Sequence, residues 1–310
     1  MTANYKLRMP LITLFSAPKP FTNPHIAMIQ RNAIKSWTQL PDVEVILLGE
    51  ETGLAETAQE LGVKHIPNVK CNENGTPLIS SMFQLARQNS NSDLLCIINA
   101  DMILMPDFLE AARRSRPQRD KFVLLSQRWD LDITQRIEFS EGWQDRLSSM
   151  VHRQGTLHRP AGSDFFLFPQ SCYIDIPNFA IGRAGWDNWM IYEARKENWS
   201  VIDCTPAAMI VHQNHDYSHL PGGKPHYEHP DTNENIRLAG GEANIRYTIL
   251  DATHQLAPDG KLVRPKMTYL RFMRGVELFL RKIFFFLPEK MIENVARPKR
   301  WKKRIQKLFK

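Results

Sequence analysis

The sequence predicts an α/β protein with a mixed, mainly parallel sheet and helices on both faces. Strand-like and helix-like segments alternate over the first 100 residues, the order that produces a parallel sheet. The run Leu94–Ile98 is entirely apolar, as expected for a central strand buried on both faces. Ligands of such sheets bind at the carboxyl ends of the strands. The residues that directly follow each apolar run are therefore the candidates for function.

Each element has its own signal. Apolar residues of the first helix recur at helical spacing from Ile26 to Trp37, and Gly62 is suited to ending the second helix. Pro77 starts the third helix, and β-branched or apolar runs mark the strands. We predict strands at 11–15, 43–48, 63–66, 94–98, 122–125, 164–168, 200–203 and 207–211, and helices at 26–37, 54–61, 77–89 and 186–196. We expect an extended polar stretch between residues 125 and 164, and a polar loop at 212–235.

Charge divides the 310 residues into two parts. Residues 261–310 contain 16 Lys and Arg against 3 Asp and Glu, whereas residues 1–260 contain 24 basic and 30 acidic side chains. Because the basic residues do not cover the main domain, the pattern excludes a uniformly basic nucleic-acid-binding protein. We predict a main domain at 1–260 and a basic amphipathic helical tail at 261–310.

The tail has two apolar stripes at helical spacing. One extends from Tyr269 to Leu287 and the other contains Trp301, Ile305 and Leu308, with Lys and Arg around both. Basic amphipathic helices with aromatic residues lie on anionic membrane surfaces. The alternative is that the first helix packs on the domain and only the second is solvated.

Four separated cysteines without a Cys-x-x-Cys pair indicate neither a zinc ribbon nor a thioredoxin-type site. Cys96 and Cys204 lie in apolar runs and are expected to be buried thiols in a reducing compartment. The apolar stretch Leu11–Phe15 is too short for a signal peptide, and no stretch is long enough for a membrane span. We therefore expect a cytoplasmic protein at the inner face of the membrane.

Three short motifs contain the candidate chemistry. Asn99-Ala100-Asp101 follows the central strand, Gly185-Trp186-Asp187 opens a helix, and His212 ends an apolar run. A carboxylate at the mouth of a buried strand is costly unless it is paired or binds a cation. Asp101 and Asp187 also have simpler explanations, as a turn-capping residue and a helix N-cap. His212 lies in a histidine-rich region where hydrated histidines are common.

Together these motifs resemble the nucleotide-sugar-dependent glycosyltransferases of the GT-A fold over about residues 8–255. The resemblance implies that Asp101 and His212 hold Mn²⁺ or Mg²⁺, although Asn99 stands where the family has the first Asp of Asp-x-Asp. It implies that Asp187 is the general base of an inverting enzyme. Asp164 is the second choice for the base, or an acceptor ligand.

The resemblance also places the nucleotide-sugar donor over the loops that follow the first strands. Ser16, Ala17 and Pro18 follow the first strand, Glu50 follows the second, and Asn99 follows the fourth. Asn72, Gly75 and Thr76 precede a helix whose N-terminal amides could face phosphate. Ordinary loop and capping chemistry explains these residues equally well.

The implied function is transfer of a sugar from a nucleotide-diphosphate donor to a glycan or lipid-linked acceptor. One alternative is a catalytically inactive, membrane-associated scaffold, which Asn99 favours. Another is a sugar-phosphate nucleotidyltransferase, although the loop from Ser16 to Pro20 lacks the glycines typical of that class. A metal hydrolase fits less well because the histidines lack a compact ligand spacing.

Overall fold

The computed structural model of the protein describes residues 9–215 and 229–283. The chain divides into two compact units, Met1–Val263 and Arg264–Lys310. The first unit contains all the strands of the described residues. The strands are β1 Ile12–Ser16, β2 Val43–Leu48, β3 Lys64–Ile66, β4 Leu94–Ile98, β5 Met102–Ile103, β6 Phe122–Leu125, β7 Trp129–Leu131, β8 Thr156–Leu157, β9 Phe165–Pro169, β10 Ser200–Asp203, β11 Val211–Gln213, β12 His254–Leu256 and β13 Leu262–Val263.

The helices of the first unit begin and end at recognisable signals. Pro24, Pro106 and Pro230 occupy first positions of helices, where the missing N–H is not needed. Gly62 ends the second helix in the left-handed conformation. The helices are α1 Pro24–Thr38, α2 Leu54–Leu61, α3 Ile79–Gln88, α4 Pro106–Ser115, α5 Trp143–Gln154, α6 Trp186–Lys196 and α7 Pro230–Leu238.

The large sheet has nine strands in the order β13-β12-β10-β6-β9-β4-β1-β2-β3. Its pairs are parallel except where β9 inserts antiparallel between β4 and β6, and where β13 pairs with β12. The predicted mixed, mainly parallel sheet is confirmed. The parallel strands bring their carboxyl ends to one edge, here called the carboxyl edge. The N-terminal end of β9 also lies there.

Helices cover both faces of the large sheet, as predicted. Leu94 and Cys96 of β4 pack in one apolar core with Trp37 of α1 and Phe108 of α4. Leu95 and Ile97 point to the opposite face, where the core includes α3 and α6. This alternation along a fully buried strand explains why β4 has no polar residue.

A small sheet with the order β5-β11-β7-β8 stands beside the carboxyl edge. Its central strand β11 pairs antiparallel with β5 and parallel with β7. The register places His212 opposite Met102 on one side and opposite Asp130 on the other. On the outer side of β7, Asp130 is opposite Thr156 of β8. The pairing therefore places residues that are distant in sequence, Met102 and Asp130, on either side of His212.

The structure corrects four sequence predictions. Residues 207–210 are not a strand, because a turn hydrogen-bonds Ala207 and Ala208 to the carbonyl of Cys204, and β11 begins only at Val211. The region expected to be an extended polar stretch contains α5, whose buried face consists of Trp143, Leu147 and Val151. The loop predicted at 212–235 includes strand residues of β11 and the start of α7. Helix α4 also forms where no helix was predicted.

The second unit contains helix α8, Tyr269–Ile283, at the first predicted stripe of the tail. Within it, Glu277 lies 3.1 Å from Arg274 and 3.3 Å from Arg281, at spacings of three and four residues. Leu287 and the second stripe at Trp301, Ile305 and Leu308 lie outside the described residues. Within residues 9–215 and 229–283, no helix has the length and apolar character that crossing a membrane requires.

Candidate active site and metal centre

The carboxyl edge brings Asn99 and Asp164 together. Asn99 directly follows β4, and Asp164 directly precedes the antiparallel strand β9, so the two residues are neighbours at the same edge. The backbone N–H of Asn99 donates to the carbonyl of Asp164 at 2.9 Å. The side-chain Nδ2 of Asn99 donates to Oδ1 of Asp164 at 3.0 Å. The amide that occupies the first position of the Asn-x-Asp motif therefore holds a carboxylate on the next strand.

The small sheet brings Asp101 and His212 together with a second histidine. Oδ2 of Asp101 lies 3.8 Å from Nε2 of His212 and 3.1 Å from Nε2 of His215. One ligand atom from each of these three residues lies within 4.8 Å of the others. Their side chains are only 10–14% exposed. The two histidines and the carboxylate form a compact cluster with the donor atoms that Mn²⁺ accepts.

The charge state of Asp101 suits cation binding. Burial would raise the pKa of its carboxyl group, but the hydrogen bond with His215 and nearby positive charge, including that of Lys19, lower it far below its usual value. Oδ1 of Asp101 is buried and has no hydrogen-bond partner among residues 9–215 and 229–283. A buried oxygen without a hydrogen-bond partner costs free energy, unless a ligand from outside the chain binds it. The residues present therefore fit a divalent cation.

His212 is in the form that a metal ligand needs. Burial lowers the pKa of its imidazole, with the nearby carboxylates opposing the effect. A neutral imidazole offers a lone pair, whereas the protonated form offers none. Nδ1 of His212 lies 3.1 Å from Oδ1 of Asp130, on the far side of the ring from Asp101.

Lys19 places a cation beside the cluster. It follows β1, and its Nζ lies 3.4 Å from Nε2 of His215. Burial lowers the pKa of the amine, and the charge of Asp101 opposes that effect. The side chain of Gln30 fixes the backbone around it, accepting from the N–H of Lys19 at 2.6 Å and donating to its carbonyl at 2.9 Å. The loop thus presents a positive charge at a defined position.

Asp187 opens α6 after Gly185 and is half-buried. Burial raises the pKa of its carboxyl group to about 6, and the negative charge of Asp164 raises it as well. Hydrogen bonds from local backbone N–H groups oppose this increase. A carboxylate with a pKa near the working pH is well matched to accept and release a proton.

Asp164 has a different environment. Its Oδ1 accepts from Nη1 of Arg128 at 2.6 Å and from Asn99. Arg128 also donates through Nε to Asp130 at 2.9 Å. Since Asp164 is held by a guanidinium and an amide, it is less available as a base than Asp187.

The remaining residues predicted to bind the donor have mixed surroundings. The hydroxyl of Ser16 is buried and donates to the carbonyl of Ile98 at 2.6 Å, which ties β1 to β4. Ala17 is half-buried, Pro18 is buried and Glu50 is exposed. These residues still occupy the predicted ends of β1 and β2.

The loop that contains Asn72, Gly75 and Thr76 is held by a buried carboxylate. Asn72 and Thr76 each donate to Asp231 of α7 at 3.0 Å, and Asn74 donates to it at 2.7 Å. Gly75 has a positive φ of 74°, which lets the loop turn. These contacts give Asn72 and Thr76 a structural role in holding the loop against α7.

Sequence reasoning did not assign His215, Lys19, Arg128 or Asp130 to the site. His215 was visible as the end of His212-Gln213-Asn214-His215, but its contact with Asp101 depends on the chain path after β11. Arg128 and Asp130 lie in the stretch where no strand was expected. An Arg-x-Asp pair at the start of a short strand is the signal that could have identified them.

No protein-family model and no curated protein sequence matches the chain. Among solved structures, a fragment of S. aureus TarS in complex with UDP-GlcNAc matches with a TM-score of 0.48 and 12% identity, over 74% of this chain and 65% of that one. Glucosyl-3-phosphoglycerate synthase from Mycobacterium tuberculosis, in complex with phosphoglyceric acid, matches with a TM-score of 0.46 and 13% identity, over 78% and 82% of the two chains.

Mannosyltransferase PcManGT from Pyrobaculum calidifontis, in complex with GDP-Man and Mn²⁺, matches with a TM-score of 0.41 and 11% identity, over 66% of this chain and 57% of that one. The chain thus spans about two thirds of the TarS fragment and less of the mannosyltransferase. At these identities and TM-scores the similarities assign no activity, substrate or partner to this chain.

Proposed function

We propose that the protein is a glycosyltransferase that transfers a sugar from a nucleotide-diphosphate donor to an acceptor hydroxyl with inversion. One observation supports this proposal most strongly. The buried, unpartnered Oδ1 of Asp101 lies within a cluster of two histidines, next to the edge of the sheet where Asn99 and Asp164 meet. The charge of Asp164 acts on Asp187, a carboxyl group with a pKa of about 6. A metal-assisted transfer with inversion uses a bound cation and a general base with a suitable pKa.

Asp101, His212 and His215 would hold Mn²⁺ or Mg²⁺. A mixed set of carboxylate and imidazole ligands favours Mn²⁺, since Mg²⁺ prefers oxygen ligands alone. When bound, the cation would neutralise the negative charge that grows on the departing nucleoside diphosphate. The ammonium of Lys19, 3.4 Å from His215, would contact the same phosphates.

Asp187 would act as the general base. The acceptor oxygen forms a bond to the anomeric carbon, the bond from that carbon to the diphosphate oxygen breaks, and its electron pair leaves with the diphosphate. The proton of the acceptor hydroxyl passes to Asp187. Asp164, fixed by Arg128, would orient the acceptor and keep the pKa of Asp187 high through its negative charge.

The acceptor in this proposal is a glycan or a lipid-linked glycan at the inner membrane surface, bound near anionic lipid through the basic tail. Residues 261–310 contain 16 basic and 3 acidic side chains. On α8 the aromatic residues Tyr269, Phe272 and Phe279 are more than half exposed. Aromatic and basic side chains on one helix suit an interface between water and anionic lipid.

The central test is turnover with a panel of nucleotide sugars in the presence of Mn²⁺ or Mg²⁺. We expect one UDP- or GDP-sugar to be hydrolysed slowly or transferred, with loss of the reaction in EDTA and in Asp101→Asn. Neither binding nor turnover of any donor would contradict the proposal and favour an inactive scaffold. Release of pyrophosphate from a nucleoside triphosphate and a sugar phosphate would indicate a nucleotidyltransferase instead.

Membrane association is tested by flotation with vesicles. The full chain should bind vesicles that contain an anionic phospholipid and not vesicles of phosphatidylcholine alone, and high salt should weaken the binding. A chain truncated after residue 264 should bind donor and lose vesicle binding. Equal vesicle binding by the truncated chain would contradict a role for the tail.

A further inference from the structure

We propose that Asp130 is a positioning residue of the metal centre, which fixes the tautomer and orientation of His212 so that Nε2 faces Asp101. This inference rests on the proposed function, because it assumes that His212 is a metal ligand. It assigns a role to a side chain that is not one of the three ligands and contacts the cluster at Nδ1 of His212. Metal-binding histidines commonly donate their second ring nitrogen to a carboxylate.

The backbone register places Asp130 next to His212. Strands β7 and β11 are parallel, and Asp130 is the direct partner of His212 in that pair. On the other side of β11, the partner of His212 is Met102, which directly follows Asp101. The imidazole therefore lies between two carboxylates, with Asp130 on the side of Nδ1 and Asp101 on the side of Nε2.

The contact with Asp130 selects one tautomer. An ionised carboxylate can only accept a hydrogen bond, so Nδ1 of His212, 3.1 Å from Oδ1 of Asp130, carries the proton. In a neutral imidazole Nε2 then carries the lone pair. Nε2 is the nitrogen that faces Asp101 at 3.8 Å. The separation is too long for a direct hydrogen bond.

Asp130 is itself held by two further groups. Its Oδ2 lies 2.6 Å from Nδ1 of His158, which follows β8, and its Oδ1 accepts from Nε of Arg128 at 2.9 Å. These two contacts fix the carboxylate in place beside His212.

The test is Mn²⁺ affinity, measured from the electron paramagnetic resonance signal of free Mn²⁺. We expect Asp130→Asn to weaken Mn²⁺ binding by about 10- to 100-fold, the range found for outer partners of metal ligands. The matched control is Asp145→Asn, the same chemical change at an exposed position of α5, which should leave the affinity unchanged. In EDTA both variants should show the far-ultraviolet circular dichroism of the parent.

A double-mutant cycle separates positioning from a general structural effect. If Asp130 acts through His212, then Asp130→Asn should have no further effect on Mn²⁺ affinity in a His212→Ala background. Equal losses in both backgrounds would overturn the inference, and so would unchanged affinity in the single variant. Should the amide variant not fold, Asp130→Glu carries the same test, with a several-fold loss expected because the carboxylate moves by one methylene.

The two proposals fail in different ways. If the parent protein does not bind Mn²⁺, the metal centre of the proposed function is wrong. If the parent binds Mn²⁺ and Asp130→Asn binds it equally well, only the positioning role is wrong. The absorption spectrum of the Co²⁺-loaded protein gives a second readout, because loss of an imidazole ligand changes the visible bands of Co²⁺.

Discussion

Replacing Asp187 by Asn should abolish transfer and stabilise the protein at the same time. The amide keeps the shape of the side chain and an oxygen that can accept from the local backbone N–H groups, but it cannot take a proton from the acceptor. The substitution also removes a carboxylate whose ionisation in the folded chain is unfavourable. Activity and stability should therefore change in opposite directions.

The size of the stabilisation follows from the pKa. Burial and Asp164 raise the pKa of Asp187 from 3.8 to about 6. Between these two values the folded chain holds a proton that the unfolded chain has released, so stability falls as the pH rises through this window. At about 1.4 kcal/mol per pKa unit the full cost above pH 6 is about 3 kcal/mol. Because Asp187 is only half-buried, solvent screening reduces our expectation to about 1–2 kcal/mol.

The assay is urea unfolding of the parent and of Asp187→Asn in EDTA, at pH 8 and at pH 4. The variant should be more stable by about 1–2 kcal/mol at pH 8. It should differ much less at pH 4, which is close to the unfolded pKa of 3.8, because little of the cost of ionising Asp187 has developed there. Asp145→Asn, at an exposed position, serves as the control. A variant that is less stable at pH 8, or equally stabilised at both pH values, would refute the reasoning. Donor affinity should be nearly unchanged.

Three other predictions follow from the site. With saturating Mn²⁺, kcat/KM should fall about tenfold per pH unit below about pH 6, because the base with a pKa of about 6 becomes protonated. If kcat/KM falls only below about pH 4, Asp187 is not the general base. Lys19→Ala should weaken UDP binding by about tenfold, because one charge-assisted hydrogen bond to the diphosphate is lost. Calorimetry in the presence of Mn²⁺ measures the affinity, and an unchanged value would show that the diphosphate does not bind at Lys19. Gly185→Ala should destabilise more than Gly241→Ala in urea unfolding, by about 1 kcal/mol or more. Both glycines have φ near 110°, but only at Gly185 would a new Cβ lie 3.2 Å from Ile245; equal losses would show that this contact is harmless.

Local signals predicted seven of the nine strands of the large sheet but not β12 and β13, which follow the last predicted strand. The strand Val43–Leu48 and the helix Leu54–Leu61 have the predicted bounds, because β-branched runs and a left-handed Gly62 are properties of the chain itself. Helix α5 was missed since it is mostly polar and buries only Trp143, Leu147 and Val151, a spacing of four residues that was present in the sequence.

The centre of the site was harder to predict because it depends on strand pairing. Asp101, Asp187 and His212 could be selected from their positions after strands and at a helix start. Asp130 contacts His212 across 82 residues, and His215 contacts Asp101 across 114, so neither contact leaves a local pattern. The small sheet that makes these contacts consists of strands of two or three residues, too short for periodicity to reveal.

Because β11 has only three residues, this centre is sensitive to the number of residues in the connection that precedes the strand. Successive side chains of a strand alternate between faces, so His212 faces the carboxylates while Gln213 faces α1 and donates to the carbonyl of Ile29 at 2.7 Å. An insertion of one residue between Asp203 and Val211 that shifts the register of β11 by one position would turn each side chain of the strand to the opposite face. Natural variation in the length of this connection is therefore expected in steps that preserve the alternation.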